Sequence, residues 1–227
     1  MNDELFVDLI KIIDKPKIIN NWLNDGYHDK MLMINGNNGL FKSSLSEHLL
    51  SDYSVIKIDI ENCKVRFNFE EYISLSLEKL SIESLFFKKK KRIKALIIDD
   101  LNYILKTDKK LFSSISNWIL KMKIIKYPII CIVNDPDNNK INKLLKKMNK
   151  IDIILNDHEY YQLTKKYFIN PTFGLNMKKH DIEKLINKSN NNFNSIKINI
   201  SYIENKQSVN QLNKFLIQSK DNISLLK

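Results

Sequence analysis

The sequence predicts an α/β fold, a mostly parallel sheet with helices on both faces followed by a small all-helical domain, and three observations predict it. Four short apolar runs bounded by turn or polar residues have the length of strands: Met31 to Asn35, Ser54 to Ile60, Ala95 to Ile98 and Ile129 to Val133. Between them lie segments with apolar residues at three- and four-residue spacing, so strand alternates with helix. The apolar runs are continuous rather than alternating, as strands buried on both faces require.

Taken in order, the helical patterns run from Ser43 to Leu50, Phe69 to Phe87, Lys109 to Ile124 and Asn138 to Met148. After Asn156 no strong strand pattern remains. Helical stretches follow at His158 to Phe168, Lys179 to Lys188, Asn194 to Ile203 and Val209 to Ser219, with a linker at Asn170 to Gly174 and an asparagine turn at Asn190 to Asn192. The expected division is a sheet domain over residues 1–155 and a helical domain over 156–227.

A chain of 227 residues supports one core of ordinary size with a small appended domain. Cys63 and Cys131 lie far apart and match no CxxC or Cys/His ligand spacing, so neither a disulfide framework nor a zinc site is indicated. No basic leader precedes an apolar stretch at the start, and no apolar run approaches the ~20 residues that span a bilayer. The expectation is an intracellular protein with no membrane partner. A net charge of +11, carried almost wholly by lysine, favours an anionic partner, of which nucleic acid is the commonest. An AT-biased genome, which would also enrich isoleucine and asparagine, accounts for part of that charge.

The segment from Met31 to Ser44 joins a strand to a helix through a loop with Gly36, Asn37, Asn38 and Gly39, then Lys42, Ser43 and Ser44. That order suits a polyphosphate: backbone N–H groups at the helix start face the anion, Lys42 adds a mobile positive charge, and the Ser43 hydroxyl can ligate Mg²⁺. A glycine turn that happens to precede a helix has the same appearance. Phe41 departs from the usual GxxxxGK[ST] pattern, standing where glycine lets the chain pass close to phosphate, and its benzyl group is expected to crowd a ligand.

Downstream, the apolar strand Lys94 to Ile98 ends in Asp99 and Asp100. Asp99 is suited to Mg²⁺, and Asp100 stands where a glutamate usually polarises the attacking water, one methylene further back. The strand ending in Val133 is followed by Asn134, which either orients a water beside a γ-phosphate or caps the next turn.

With these three strand ends, the sequence resembles the large subunit of replication factor C, the sliding-clamp loader of the AAA+ P-loop ATPase family. The segments that carry the resemblance are YPIICIVNDPDNNKINKLL from Tyr127, KALIIDD from Lys94, the phosphate loop, and YSVIKIDIEN from Tyr53, together covering roughly residues 16–155. The resemblance implies an AAA+ P-loop parallel sheet with a helical lid, an ATP and Mg²⁺ site, and catalytic positions at Asp100 and Asn134. It also implies partners: a sliding clamp, other loader subunits and primer-template DNA, at intracellular sites of DNA replication, nuclear or viral. Asn194 falls where that family has its sensor arginine, and the only arginines, Arg66 and Arg92, fall at no finger position. These departures predict weak hydrolysis at best, and no collar domain is expected after about residue 205. A replication initiator or helicase loader, and a non-catalytic scaffold subunit, are the alternative readings.

Two surfaces complete the expectations. Ile82, Leu85, Phe86 and Phe87, ahead of a run of lysines, are candidate clamp anchors or else the inner face of a helix. Lys109 and Lys110, with Lys140, Lys143, Lys147 and Lys150 at helical spacing, are candidate DNA-backbone contacts or else an ordinary solvated face.

Overall fold

The computed structural model describes residues 3–13, 16–24, 27, 29–60, 69–78, 93–134, 138–169 and 177–205. The chain divides into two compact units. The larger comprises Phe6–Asn37 and Lys42–Ile153, and the smaller takes the chain from Ile154 onward together with Met1–Leu5 and Asn38–Phe41.

The larger unit is built on five strands: β1 (Met31–Gly36), β2 (Ser54–Ile58), β3 (Lys94–Ile98), β4 (Ile129–Val133) and β5 (Met148–Ile153). Their spatial order is β2-β3-β4-β1-β5, and every neighbouring pair is parallel. Because all strands point the same way, the residues that follow β1, β3 and β4 emerge at one edge of the sheet, where open α/β sheets present their ligand sites. The central strands are buried apart from Asn35 of β1 and Lys94 of β3, which are partly exposed. All five residues of β4 are inaccessible, as expected of a strand with neighbours on both sides and helices above and below.

Helices α1 (Asp3–Ile12), α2 (Pro16–Asn24), α3 (Lys42–Leu49), α4 (Phe69–Glu78), α5 (Leu101–Thr107), α6 (Lys109–Lys121) and the single turn α7 (Asn139–Asn142) complete the described elements up to Ile153, with a 3₁₀ segment at Lys143–Lys147. Leu111, Phe112, Ile115 and Ile119 of α6 are buried in the same cluster as Leu96, Ile98, Ile129 and Cys131 of the sheet. Their i, i+4, i+8 recurrence is the reason this segment is helical and packs as it does. Each such side chain removed from water contributes roughly 1.5–3 kcal/mol.

Three features depart from the sequence-based expectations. The helices α1, α2 and α5 are not among those the sequence predicts, although Phe6, Leu9 and Ile13 recur at helical spacing and are buried. The helix expected from Asn138 to Met148 is broken: it is helical only over Asn139–Asn142, tightens to 3₁₀, and becomes strand β5 at Met148. Consequently the lysines expected on one helix face do not share one. Lys147 donates to the carbonyl of Met122 at 3.0 Å, at the C-terminus of α6, and Lys150 lies on β5 in an ion pair with Asp152 at 2.9 Å.

The smaller unit contains α8 (Asp157–Tyr167), α9 (Lys179–Lys188) and α10 (Phe193–Asn205). Asn156 and Glu159 form a reciprocal capping box at the start of α8, with bonds of 3.0 and 2.8 Å. Between α9 and α10 the chain turns through Asn190 and Asn191, both at positive φ, which asparagine tolerates better than other residues with a side chain. The expected linker at 170–174, the expected helix at 209–219 and the candidate clamp anchors Ile82, Leu85, Phe86 and Phe87 lie outside the described residues. No described helix is long and apolar enough to cross a membrane.

Candidate functional site

Strand β1 ends at Gly36, and the loop that follows returns to the larger unit as α3 at Lys42. Lys42 is 6% exposed, and its ammonium donates to the carbonyls of Gly36 and Asn37, each at 2.7 Å. Burial pushes its pKa down to about 8, although the negative charges of Asp100 and Asp99 partly oppose that shift. The loop thus curls around the amine of its own lysine. Ser43 and Ser44 occupy the first turn of α3, the end of a helix whose N–H groups suit an anion.

At the end of β3 the ladder to β2 continues one residue further, with the Asp99 N–H donating to the Ile58 carbonyl at 2.8 Å. This places Asp99 beside β2, where the Lys57 ammonium lies 3.0 Å from Asp99 Oδ2 and 3.6 Å from Glu47 Oε1 of α3. Burial alone would lower the Lys57 pKa, but the hydrogen bonds and charges of Asp99 and Glu47 outweigh it and raise the pKa. Lys57 thus pairs with the carboxylate that the sequence assigns to Mg²⁺, so a dication there would compete with an ammonium already in contact. Among the described residues no group of three or more His, Cys, Asp or Glu side chains is placed to hold a metal ion.

Asp100 adopts φ 48° and caps α5, its Oδ1 accepting from the Tyr103 N–H at 3.1 Å. The same oxygen accepts from the Asn134 side-chain amide at 2.9 Å. Asn134 is itself fixed by its backbone N–H, which donates to Asn102 Oδ1 of α5 at 2.9 Å. Beside the expected roles of water-orienting and turn-capping, the Asn134 side chain bridges the ends of β3 and β4.

Asn38, Gly39, Leu40 and Phe41 belong to the smaller unit. Gly39 has φ 81°, and a Cβ there would meet Asn192 Oδ1 at 2.1 Å, so both the backbone and the neighbour demand glycine. Asn192 uses that oxygen to cap α10, accepting from Asn194 N at 2.9 Å and Ser195 N at 3.2 Å. Phe41 keeps a glycine-like φ of 53°. Its ring is stacked with Phe168 and Phe193, at centroid separations of 5.9 and 5.7 Å, and those two rings stack on each other at 5.4 Å. The left-handed backbone costs roughly 1–2 kcal/mol, and ring pairs at about 0.5–1.5 kcal/mol each offset it. That is the physical account of an aromatic residue at this point of the loop.

The other sequence candidates are dispersed. Lys109 and Lys110 are exposed in the first turn of α6, which Asp108 caps, while Lys140 and Lys143 are exposed on α7 and the 3₁₀ segment. Asn194, in the first turn of α10, is also exposed. Sequence reasoning missed Lys57, Asn102 and Asn192, all of which become informative only once their distant partners are known.

The five-stranded parallel sheet in the order β2-β3-β4-β1-β5, with the lysine-bearing loop after β1 and the acids after β3, is an α/β fold of the AAA+ P-loop type. No protein-family model and no curated protein matches the sequence. Solved structures do match: AMPPCP-bound DnaA from Aquifex aeolicus is 14% identical over 92% of this chain and 65% of its own, with a TM-score of 0.55. A point variant of RuvB from Thermotoga maritima is 11% identical over 84% of this chain and 60% of its own, at 0.55. The ADP complex of Hsp104 from S. cerevisiae is 12% identical over 85% of this chain and 31% of its own, at 0.54. This chain thus spans less than two thirds of the first of these proteins and under a third of the last.

Proposed function

We propose that the chain is an ATP-binding AAA+ module of the clamp-loader kind, acting in DNA replication or repair with weak hydrolysis. The observation that carries nucleotide binding is the buried Lys42 ammonium, cradled by the loop after β1 in the field of Asp99 and Asp100. A cation held out of water has most to gain from an incoming polyphosphate. The DnaA structure with a similar fold carries AMPPCP, an analogue of ATP, which supports ATP as the nucleotide. Weak hydrolysis is supported by Asp100, whose Oδ1 is engaged by the α5 cap and by Asn134, and by Asn194 standing at the sensor-arginine position.

The clamp-loader assignment rests on the replication factor C resemblance. Its partners are a sliding clamp, met by Ile82, Leu85, Phe86 and Phe87, other loader subunits, and primer-template DNA met by Lys109, Lys110, Lys140, Lys143 and Lys147. The site of action is then intracellular, where DNA is replicated. Calorimetry with ATP tests nucleotide binding, and co-purification with a sliding clamp tests the assignment. Absence of ATP binding leaves the scaffold reading. ATP binding with no clamp or loader subunit recovered favours an initiator or helicase loader, a reading that the Asp99-Asp100 pair also suits.

A further inference from the structure

We propose that Lys57 takes the place of the divalent cation in this nucleotide site, so that ATP binding is independent of Mg²⁺. The inference rests on the ATP-binding reading above and concerns how that site balances its charge.

Ser43 and Asp99 are the pair expected to hold Mg²⁺. A polyphosphate approaching the ends of β1 and β3 meets the carboxylates of Asp99 and Asp100, and their repulsion must be neutralised for it to bind. In a metal-dependent site the divalent ion does this. Here the Lys57 ammonium already lies 3.0 Å from Asp99 Oδ2, and the Asp99 side chain is only 15% exposed. The pairing is built into the sheet: Lys57 is in register with Ile97 and Ile58 with Ile98, so the side chain one residue before the end of β2 lies beside the acid just past β3. Glu47 approaches the same ammonium at 3.6 Å from the α3 helix that begins with Lys42 and Ser43. Lys57 is therefore held between the helix that follows the phosphate loop and the acid that follows β3, and it is covalently part of the chain. A dication brought to Asp99 would have to displace this ammonium or sit beside a like charge.

The test is ATP binding by calorimetry to the full chain, in excess EDTA and again in excess Mg²⁺. The parent chain is expected to bind with affinities within about threefold of each other in the two conditions. Lys57→Met, which keeps the aliphatic stem, is expected to bind ATP about tenfold or more weakly in EDTA and to recover with Mg²⁺, because Asp99 is then left unpaired. Lys57→Arg, which keeps the charge, should bind in EDTA as the parent does. Binding by the parent only when Mg²⁺ is present overturns the proposal and leaves the ATP site standing. Equal binding by Lys57→Met and parent in EDTA also overturns it. No ATP binding in either condition removes the nucleotide reading itself, and this proposal with it. The parent comparison needs no variant, so it decides even where Lys57→Met lacks a cooperative melt.

Discussion

The side-chain amide of Asn134 donates to the Asp100 carboxylate at 2.9 Å, joining the end of β4 to the cap of α5. Asp100 Oδ1 also accepts from Tyr103 N, so one carboxylate oxygen ties together two strand ends and a helix start. Asp100→Ala is expected to cost about 1–2 kcal/mol by loss of the cap and to strand the Asn134 amide. Asp100→Gly should cost less, because φ 48° suits glycine. Urea unfolding of the two variants compares them, and equal losses would show that the positive φ carries no strain.

The lowered pKa of Lys42 makes a prediction about protons. The unfolded chain holds this proton up to about 10.5 and the folded chain only to about 8, so the group opposes folding fully below pH 8 and relaxes as pH rises between those values. A bound phosphate favours the charged amine and raises its pKa again. Near pH 8, where the phosphates of ATP are already fully ionised, binding is therefore expected to take up a fraction of a proton per site at Lys42. Calorimetry in buffers of different ionisation enthalpy measures this directly. A proton release at pH 8 would contradict the assignment.

Phe41 replaces the glycine of the usual phosphate loop, yet its ring is part of a three-ring stack. Phe41→Ala is expected to lower stability by about 2–3 kcal/mol, since the ring is half-buried rather than fully enclosed. Phe41→Gly relieves the positive φ but loses the same ring, so it should fall slightly short of the alanine loss. If Phe41→Gly instead stabilises the chain, the stack contributes little.

Gly39→Ala meets two obstacles at once, the φ of 81° and the Asn192 carboxamide 2.1 Å from the new carbon. The backbone alone should cost about 1–2 kcal/mol. Asn192→Ala removes the collision and the α10 cap together, so in a double-variant cycle the two losses should be less than additive. Strict additivity in chemical denaturation would show that the two residues do not touch in solution.

Much of this was legible in the sequence, and what was not has identifiable causes. The continuous apolar runs of β1, β3 and β4 mark strands buried on both faces, and the lysine and acids at their ends follow from the loop pattern alone. β5 escaped because it is an edge strand: Met148, Ile151 and Ile153 are buried with polar residues between them, and the nearby lysines at three- and four-residue spacing imitate a helix. Lys57 escaped because a lone lysine among Val55, Ile56 and Ile58 reads as the outward side of a strand. Only the β2-β3 register reveals that it lies beside Asp99. For Phe41 the sequence predicts crowding of a ligand; its ring packing with Phe168 and Phe193 depends on residues more than a hundred positions away.

Because two carbonyls of its own loop grip the Lys42 amine at 2.7 Å, any newcomer must displace them before the amine turns toward it. A bare nucleoside brings no oxygen with enough negative charge to win that exchange, whereas a triphosphate tail does. On the nucleotide-binding reading proposed above, the loop would sort arrivals by ionic character before base or sugar is ever inspected.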